Sequence, residues 1–449
     1  MKTRSVIFLL LVMMFSLAGC DGSIDENAMG TIVAATLEAM GVDEAGEPVE
    51  TKSPDATADV SGDPAPLPPT EAPEASGPGV LQIAYISGGD VWFVEEGAAP
   101  IQLTTSGNVE HVALSTDGQL TAYIWHDTSL EVSELRVVDT VAGTEWVLFS
   151  QANLDAIYPL GEALHHLPYQ FDFIPGSHTV LLNTRKIYMG PGLVQNNDLW
   201  SIDADTSART LLLDPGQGGD FYFSPSGDML ALVLPTSLGF VRPDGSDRSP
   251  DHLTFPFVIT YSEYAYYPVP VWAPDESAIA VLIPAEDPFV DDSALIWRVP
   301  VAGAPIPLLD ITSFPFFHNQ GKNPAIAPDL SKVAYLREIS TTSVDLVVAP
   351  LDGSAESIYA SGNLSWQGWN PDSAQFVYGD APRNLLLGSL GIPAVGVGFG
   401  GRLRWVDADT FLYLDELTST HRFAKVDLPS ASSVLDIISG SVFGYDFTQ

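Results

Sequence analysis

The chain has 449 residues, 46 % of them hydrophobic, so it can bury the core of one large β-architecture or of two to three ordinary domains. It carries 57 Asp plus Glu against only 18 Lys plus Arg, which gives a formal net charge of −39. Because binding to nucleic acid depends on clustered Lys and Arg, this composition argues against a nucleic-acid partner. It fits an acidic, well-solvated surface, or one that meets cations.

The first twenty residues, MKTRSVIFLLLVMMFSLAGC, contain Lys2 and Arg4, an apolar run at 6–15 and small residues before Cys20. The apolar run is too short for the alternative, an uncleaved transmembrane anchor, because a spanning helix needs about twenty residues. The segment resembles a bacterial lipoprotein signal peptide with its lipobox. The resemblance implies a signal peptide at 1–19 and a lipid anchor on Cys20. It predicts a protein of the cell envelope, held at the outer side of the cytoplasmic membrane.

Residues 20–79 have the composition of a tether. They contain 13 Asp plus Glu, a single base and, at 48–78, eight Pro. Such a segment cannot bury enough apolar surface to offset the entropy of ordering it, and its charges repel each other. Within it, 24–40 has helix-like apolar spacing, which fits a partly ordered spacer or a short amphipathic helix at the membrane. We predict a disordered acidic linker ahead of a folded domain at 80–449.

A ten-residue pattern recurs seven times in the predicted domain. Each copy has a large apolar residue, a turn rich in Pro, Asp, Gly and Ser, and an alternating apolar strand. The copies are LSTDGQLTAY (from Leu114), FIPGSHTVLL (Phe173), FSPSGDMLAL (Phe223), WAPDESAIAV (Trp272), IAPDLSKVAY (Ile326), WNPDSAQFVY (Trp369) and WVDADTFLYL (Trp405). Their starts lie 59, 50, 49, 54, 43 and 36 residues apart. Each copy predicts a β-hairpin.

A second strand pair follows most of these hairpins, as in 198–214 and 345–360. Four strands in about 40 to 55 residues is the content of a propeller blade. Residues 81–104 supply the later three strands of a blade without its first, and 441–447 can supply that missing innermost strand and close the ring. Seven hairpins plus this shared blade predict an all-β propeller of eight four-stranded antiparallel blades, or seven if one unit is degenerate.

The motifs in FSPSGDMLAL and WAPDESAIAV resemble the WD40-like (PD40-type) repeats of TolB-type β-propellers, and the resemblance covers about residues 80–447. It implies the fold of a bacterial propeller lipoprotein. The chain departs from TolB in having a lipobox and no recognisable α/β domain before the propeller, so partner contacts are not carried over. Prolyl-oligopeptidase-like enzymes carry such propellers beside a hydrolase domain, for which no α/β stretch remains here.

Motifs that carry known chemistry are missing from the sequence. No GxSxG, HExxH, P-loop or EF-hand pattern occurs. The glycines of GVGFGGRLRW (396–405) are spaced like a dinucleotide-binding loop, but no helix follows, so we interpret the run as a flexible connection between blades. With Cys20, the one cysteine, lipidated, the folded part has no thiol for a disulfide, a metal or a nucleophile. We expect no enzyme activity, cofactor or metal site.

The long insertions fall on one face of the predicted propeller. With strands A to D counted outward from the axis, the A–B turns face the bottom and are short, whereas B–C loops and the connections between blades face the top. The long segments are the connections 150–168, 255–268 and 311–324 and the B–C loops 184–197 and 284–293. They belong to consecutive blades, so we expect them in one sector of the top face.

Aromatic, histidine and basic residues are concentrated in this sector. The candidate binding residues are His165, His166, Arg185, Tyr264, Tyr266, Tyr267, Phe316, Phe317 and His318. Loop aromatics offer apolar area and directional hydroxyls, and rigid scaffolds carry function on their loops. The alternative for each ring is a structural role, in which it plugs the channel mouth or fills a gap between blades. The two adjacent histidines point opposite ways on an extended chain, which disfavours a shared metal ion.

These features predict a membrane-anchored module for binding or assembly. Its expected partners are the membrane, through the lipid on Cys20, and a protein or glycan at the top face. Two alternatives stay open. One is a propeller-type carbohydrate-active enzyme, a lyase or glycosidase, which would need a His and a carboxylate within hydrogen-bond reach. The other is an envelope protein with a purely structural role. The functional part of the prediction rests on analogy with other propellers.

Overall fold

The computed structural model of the chain describes residues 79–127, 132–188, 193–261, 264–311, 325–380, 384–399, 401–415, 421–428, 431–440 and 444–449. Within these ranges the protein is almost entirely β-structure, with 34 strands and one short helix. The predicted signal peptide, Cys20 and nearly all of the acidic tether lie outside the described residues. No helix within the described ranges has the length and apolarity needed to cross a membrane.

All strands pair antiparallel. In chain order they are β1 (Gln82–Ser87), β2 (Asp90–Glu95), β3 (Ile101–Gln102), β4 (Val109–Leu114), β5 (Leu120–His126), β6 (Ser133–Asp139), β7 (Glu145–Ser150), β8 (His165–Phe173), β9 (Thr179–Ile187), β10 (Leu193–Gln195), β11 (Leu199–Asp203), β12 (Arg209–Leu213), β13 (Asp220–Phe223), β14 (Leu230–Val233), β15 (Ser237–Val241), β16 (Ser249–Thr254) and β17 (Ile259–Tyr261). They continue with β18 (Tyr264–Ala265), β19 (Val271–Trp272), β20 (Ala278–Pro284), β21 (Ala294–Pro300), β22 (Ile306–Ile311), β23 (Lys332–Ser340), β24 (Ser343–Pro350), β25 (Ser357–Gly362), β26 (Leu364–Trp369), β27 (Phe376–Asp380), β28 (Asn384–Ser389), β29 (Ile392–Phe399), β30 (Gly401–Trp405), β31 (Thr410–Asp415), β32 (His421–Asp427), β33 (Ala431–Ile438) and β34 (Tyr445–Thr448). The helix, α1, is Gln151–Ile157 and joins β7 to β8.

The strands form eight blades of a β-propeller, which confirms the predicted fold and the count of eight. From the innermost strand outward, and numbered 1 to 8, the blades are β34-β1-β2-β3, β4-β5-β6-β7, β8-β9-β11-β12, β13-β14-β15-β16, β19-β20-β21-β22, β23-β24-β25, β26-β27-β28-β29 and β30-β31-β32-β33. In blade 6, the innermost position is held by a single bridge between Ile326 and Val333. Strand β10 extends blade 3 beside β9, and β17 and β18 form a separate hairpin.

The ring closes through β34, as the sequence predicts. This strand pairs with β1 in a register that runs from Gln82–Thr448 to Tyr85–Tyr445. Its flanks are also bonded to the neighbouring blades. The Arg404 guanidinium of blade 8 donates to Asp446 Oδ1 at 2.8 Å, and the Leu114 amide of blade 2 donates to Asp446 Oδ2 at 2.8 Å. The C-terminal strand therefore ties blades 8, 1 and 2 together.

The apolar core lies largely between adjacent blades. One cluster joins Leu238 and Phe240 of blade 4 to Ile279 of blade 5, and all three are buried. The large residue that begins a repeat contributes a polar contact across the same boundary: the Trp272 indole donates to the Tyr222 carbonyl of blade 4 at 3.1 Å. Because a buried indole N–H needs an acceptor, the aromatic start of the repeat is explained by blade packing.

The recurring Pro/Asp/Ser turns also connect neighbouring blades at the bottom face. Three such hydrogen bonds are Gly176 N to Thr116 Oγ1 at 3.0 Å, Ser226 Oγ to Glu276 Oε2 at 2.9 Å and Asp329 N to Ser373 Oγ at 2.9 Å. They link blades 3 to 2, 4 to 5 and 6 to 7. Each turn therefore reverses the chain within its blade and bonds to the turn beside it.

Two interpretations of connecting segments are wrong. The 150–168 connection is not all loop, because β8 starts at His165 and pairs with β9 as far as Ile187. The glycine run at 396–405 is not a flexible connection, because it belongs to β29 and β30. A Cβ at Gly398 would lie 2.9 Å from the Tyr413 hydroxyl, so a glycine there permits close packing of blades 7 and 8.

Candidate functional site

Strand β9 carries polar side chains to both of its faces near the top of blade 3. Because alternate residues of a strand point to opposite faces, Thr184 turns one way while Asn183 and Arg185 turn the other. Thr184 meets a buried network beneath α1, and Asn183 bonds to the first residue of β13 in blade 4. The predicted site residues of blade 3 are therefore divided between two environments.

The two histidines lie in the first environment, around Asp155 of α1. His165 Nδ1 is 3.2 Å from Asp155 Oδ2, and the His166 amide donates to Asp155 Oδ1 at 2.8 Å. Burial alone would raise the pKa of Asp155, but the hydrogen bonds from the His166 amide and the His165 ring outweigh it and lower that pKa. The His166 ring is fully buried, and this burial lowers its pKa. His165 is partly exposed, with 35 % of its side chain accessible.

A buried hydrogen-bond network centred on Asp198 supports this part of the site. Asp198 Oδ2 accepts from the Tyr158 hydroxyl at 2.6 Å, from the Trp200 indole at 3.0 Å and from Thr184 Oγ1 at 2.7 Å, while the Thr184 amide donates to Oδ1 at 2.8 Å. The Tyr158 ring lies 5.4 Å from the His166 ring. One carboxylate accepts all four hydrogen bonds, and one of the donors is Tyr158, which directly follows α1. The network therefore holds the end of α1 against blade 3.

The second environment surrounds Asp220, the first residue of β13. Asn183 Nδ2 lies 3.3 Å from Asp220 Oδ1, and the Gln195 side chain is close enough to lower the pKa of this carboxyl. Burial raises the pKa of Asp220 to about 6, against the opposing effect of the two amides. The residue nevertheless keeps some solvent exposure.

Three tyrosines, from two blades and a connection, lie close to Asp220, and a fourth lies beside one of them. Burial first, and then the nearby Asp220 carboxylate, raises the pKa values of Tyr169, Tyr222 and Tyr267. Tyr266 is close enough to Tyr222 to affect its pKa as well. All four are half-buried. We call the set of Tyr169, Asn183, Arg185, Gln195, Asp220, Tyr222, Tyr266 and Tyr267 the Asp220 site.

The tyrosine-rich connection reaches across blade 4 to blade 3. The Tyr266 hydroxyl donates to the Leu282 carbonyl of blade 5 at 3.0 Å. The Tyr267 hydroxyl donates to Asn197 Oδ1, in the B–C loop of blade 3, at 3.1 Å. The Arg185 guanidinium lies 5.2 Å from the centre of the Tyr169 ring. The structure thus brings together three predicted residues, Arg185, Tyr266 and Tyr267, whose binding role stays a prediction.

The side chains of four other predicted residues are not described. Phe316, Phe317 and His318 lie outside the described residues. Tyr264 belongs to β18, and only its backbone is described. Within the described ranges, no group of three or more His, Cys, Asp or Glu side chains is placed to hold a metal ion.

Sequence reasoning did not single out Asp220, although a local signal precedes it. A Cβ at Gly218 would lie 2.3 Å from the Asp198 carbonyl oxygen, and one at Gly219 would lie 2.3 Å from the Val233 carbonyl oxygen. Gly219 also has φ +134°, which favours glycine. The two glycines therefore let the backbone pass close to neighbouring segments. Asp220 follows them directly as the first residue of the innermost strand of blade 4.

Comparisons with known proteins find only distant similarity to solved structures. No family model and no curated protein sequence matches the chain. Similar solved structures include an oligogalacturonate lyase in complex with manganese, with 13 % identity and a TM-score of 0.43 over 76 % of this chain and 83 % of that one. TolB from Acinetobacter baumannii has 16 % identity and a TM-score of 0.33 over 63 % of each chain. A eukaryotic initiation factor has 12 % identity and a TM-score of 0.45 over 83 % of this chain and 98 % of that one. The fold assignment rests on the strand pairing.

Proposed function

We propose that this chain is a lipid-anchored protein of the cell envelope whose propeller is a binding module, and that the Asp220 site is its recognition surface. One observation carries the proposal: Tyr169, Tyr222 and Tyr267 come from segments up to about a hundred residues apart and lie close to Asp220, whose carboxylate also has Asn183 Nδ2 at 3.3 Å. Aromatic and polar side chains that meet on a rigid scaffold are typical of recognition sites.

The anchor part of the proposal rests on the sequence alone. The lipobox before Cys20 and the acidic segment at 20–79 fit a propeller held at a distance from the membrane. Because the net charge is −39, a nucleic-acid partner is disfavoured, and a protein or glycan partner in the envelope is proposed instead.

Comparative capture tests the recognition surface. The full chain, purified in detergent, is immobilised and exposed to envelope extract and to a glycan array, beside the double variant Tyr266→Ala/Tyr267→Ala. We expect the double variant to lose the specific partner. Tyr359→Ala is the matched control, because its hydroxyl likewise donates to a backbone carbonyl, that of Ile392 at 2.9 Å, far along the chain from the Asp220 site. Identical partners for all three proteins would overturn the proposal.

The contact between His165 and Asp155 gives the enzyme alternative a specific basis. A partly exposed imidazole 3.2 Å from a carboxylate has the geometry of a general acid–base pair. Incubation with acidic and neutral polysaccharides, followed by reducing-end and ultraviolet assays, would detect hydrolase or lyase products. Activity that His165→Ala abolishes would favour an enzyme, whereas our proposal expects no turnover.

A further inference from the structure

We propose that the Asp220 site recognises a primary ammonium group on a small ligand, such as an amino sugar or an alkylamine. The inference rests on the proposed binding function of this site and specifies the chemistry of its ligand. Three features of the site carry it: one buried acceptor has no donor, no cation among the described residues pairs with the central carboxylate, and the Tyr267 hydroxyl has committed its proton elsewhere.

One buried acceptor of the site has no donor among the described residues. Around Asn183 the contacts balance: its Nδ2, with two hydrogens, lies 2.9 Å from the Gly219 carbonyl, 3.2 Å from Gln170 Oε1 and 3.3 Å from Asp220 Oδ1, and Gln170 Oε1 also accepts from the Phe221 amide at 3.0 Å. Gln195 Oε1 is buried and has no hydrogen-bond partner in the described part of the chain. A buried acceptor without a donor costs free energy, so the site favours a ligand that brings N–H groups.

The Asp220 carboxylate lacks a cation of its own. Among the described residues, no Lys, Arg or His forms an ion pair with it, and Arg185 instead lies over the Tyr169 ring. Taking a carboxylate out of water is unfavourable unless an opposite charge compensates it. An ammonium group is a compact cation with three N–H donors, so it supplies both the charge and the hydrogen bonds that the site lacks.

The tyrosines add acceptor atoms and ring surface. The proton of the Tyr267 hydroxyl is engaged by Asn197 Oδ1 at 3.1 Å, so this oxygen offers lone pairs to a ligand. Half-buried Tyr222 provides aromatic surface, which attracts cations. A neutral polyol would gain no Coulomb attraction from Asp220, and an anion would be repelled by it. The combined chemistry selects an ammonium ion.

Calorimetric titration of the full chain in detergent tests this inference with ligand pairs that differ only by ammonium and hydroxyl. The pairs are glucosamine with glucose, and 5-aminopentanol with 1,5-pentanediol, and they distinguish a sugar from an alkyl source. At about pH 7.5 we expect one ammonium ligand to bind at least about ten-fold more tightly than its neutral partner, and Asp220→Asn to remove the difference. Asp310→Asn, which changes an exposed carboxylate on the outermost strand of blade 5, should keep it.

The pH dependence of wild-type binding is a second readout that needs no variant. Asp220 has a pKa of about 6, the facing Tyr169, Tyr222 and Tyr267 have raised pKa values, and Arg185 stays positive. From about pH 7.5 to about pH 5 only Asp220 among these groups loses its charge, so alkylammonium binding should weaken about ten-fold.

Each result decides between the inference and the broader proposal. Equal binding of glucose and glucosamine, lost in Tyr267→Ala, would overturn the ammonium inference and leave the binding function standing. Binding of the amines that is independent of pH and of Asp220 would overturn it as well. Absence of binding by every probe up to about 10 mM would also refute the ammonium inference, while partner capture would still test the function separately.

Discussion

His178 joins the bottom turns of blades 2 and 3, and replacing it with Gln gives a prediction whose sign and size follow from the structure. Its Nε2 is 3.0 Å from Asp117 Oδ2, and its Nδ1 is 3.0 Å from Asp205 Oδ1. Burial alone would lower the pKa of His178, but the bonds to Asp205 and Asp117 outweigh it and raise that pKa. Burial alone would raise the pKa of Asp117, but hydrogen bonds, including that of His178, lower it.

These two shifts act in different pH ranges. A histidine whose pKa is raised on folding stabilises the fold fully below its unfolded value of about 6.5, and this contribution is lost as pH rises through the folded value. A carboxyl whose pKa is lowered contributes above its unfolded value of about 3.9 and loses the contribution as pH falls through the folded value. The contacts of His178 therefore stabilise the protein most between about pH 4 and about pH 6.5.

The side chains of Asp117 and Asp205 are 44 % and 61 % exposed, so solvent screening limits the whole contribution to about 1 kcal/mol. We expect His178→Gln to lower the free energy of unfolding by about 1 kcal/mol at about pH 5.5 and by much less at about pH 8.5. Urea unfolding followed by tryptophan fluorescence measures both values. His252→Gln is the control, because its contact with the Gly303 carbonyl at 2.8 Å needs no charge. An equal loss at both pH values would refute the ionic reasoning.

Three further substitutions test separate parts of the molecule. Trp369→Phe removes the indole donor to the Ala325 carbonyl across a blade boundary. We therefore expect the free energy of unfolding in urea to fall by about 1–2 kcal/mol, and an unchanged urea midpoint would contradict this expectation. Asp198→Ala leaves the hydrogen-bond donors of the buried network unpaired, so we expect the free energy of unfolding to fall by about 3–5 kcal/mol. A fall of less than about 1 kcal/mol would show that water satisfies these donors. Cys20→Ser should abolish incorporation of a fatty-acid label and move the protein to the aqueous phase of a detergent partition; retained label would refute lipidation at this residue.

The blade architecture was predictable because its causes are local and repeated. A turn such as that in WAPDESAIAV is set by residues a few positions apart: Asp275 Oδ1 accepts from the Ser277 amide at 3.1 Å and from its hydroxyl at 2.7 Å. Seven copies of this chemistry indicate seven hairpins, and three strands at one end with one at the other can form a shared blade. The sequence therefore predicted eight blades, or seven if one unit were degenerate, and the pairing of β34 with β1 decides for eight.

The Asp220 site was only partly predictable because its causes are distant in sequence. Nothing beside Asp220 shows that Asn183 and Gln195 will lie close to it, since that depends on the pairing of β9, β10 and β11. Likewise, the position of Arg185 near the end of β9 depends on the pairing of β9 with β8, which already begins at His165. The loop aromatics and insertions led to the prediction of a binding sector on the top face. The position of Asp220 depends on how the strands pack, which no local pattern in the sequence shows.

A structural role and a binding role are compatible for the tyrosines of the 255–268 connection. Tyr266 and Tyr267 are held by bonds to Leu282 and Asn197, which fixes two rings that would otherwise lose rotational freedom when a ligand binds. A ring positioned in advance contributes contact area at less entropic cost, so the structural bonds make these residues better suited to recognition. The hydroxyl bond of Tyr267 also leaves oxygen lone pairs near Asp220. The same contacts that fasten the connection to blades 3 and 5 therefore give the site its acceptor character, from which the preference for an ammonium group follows.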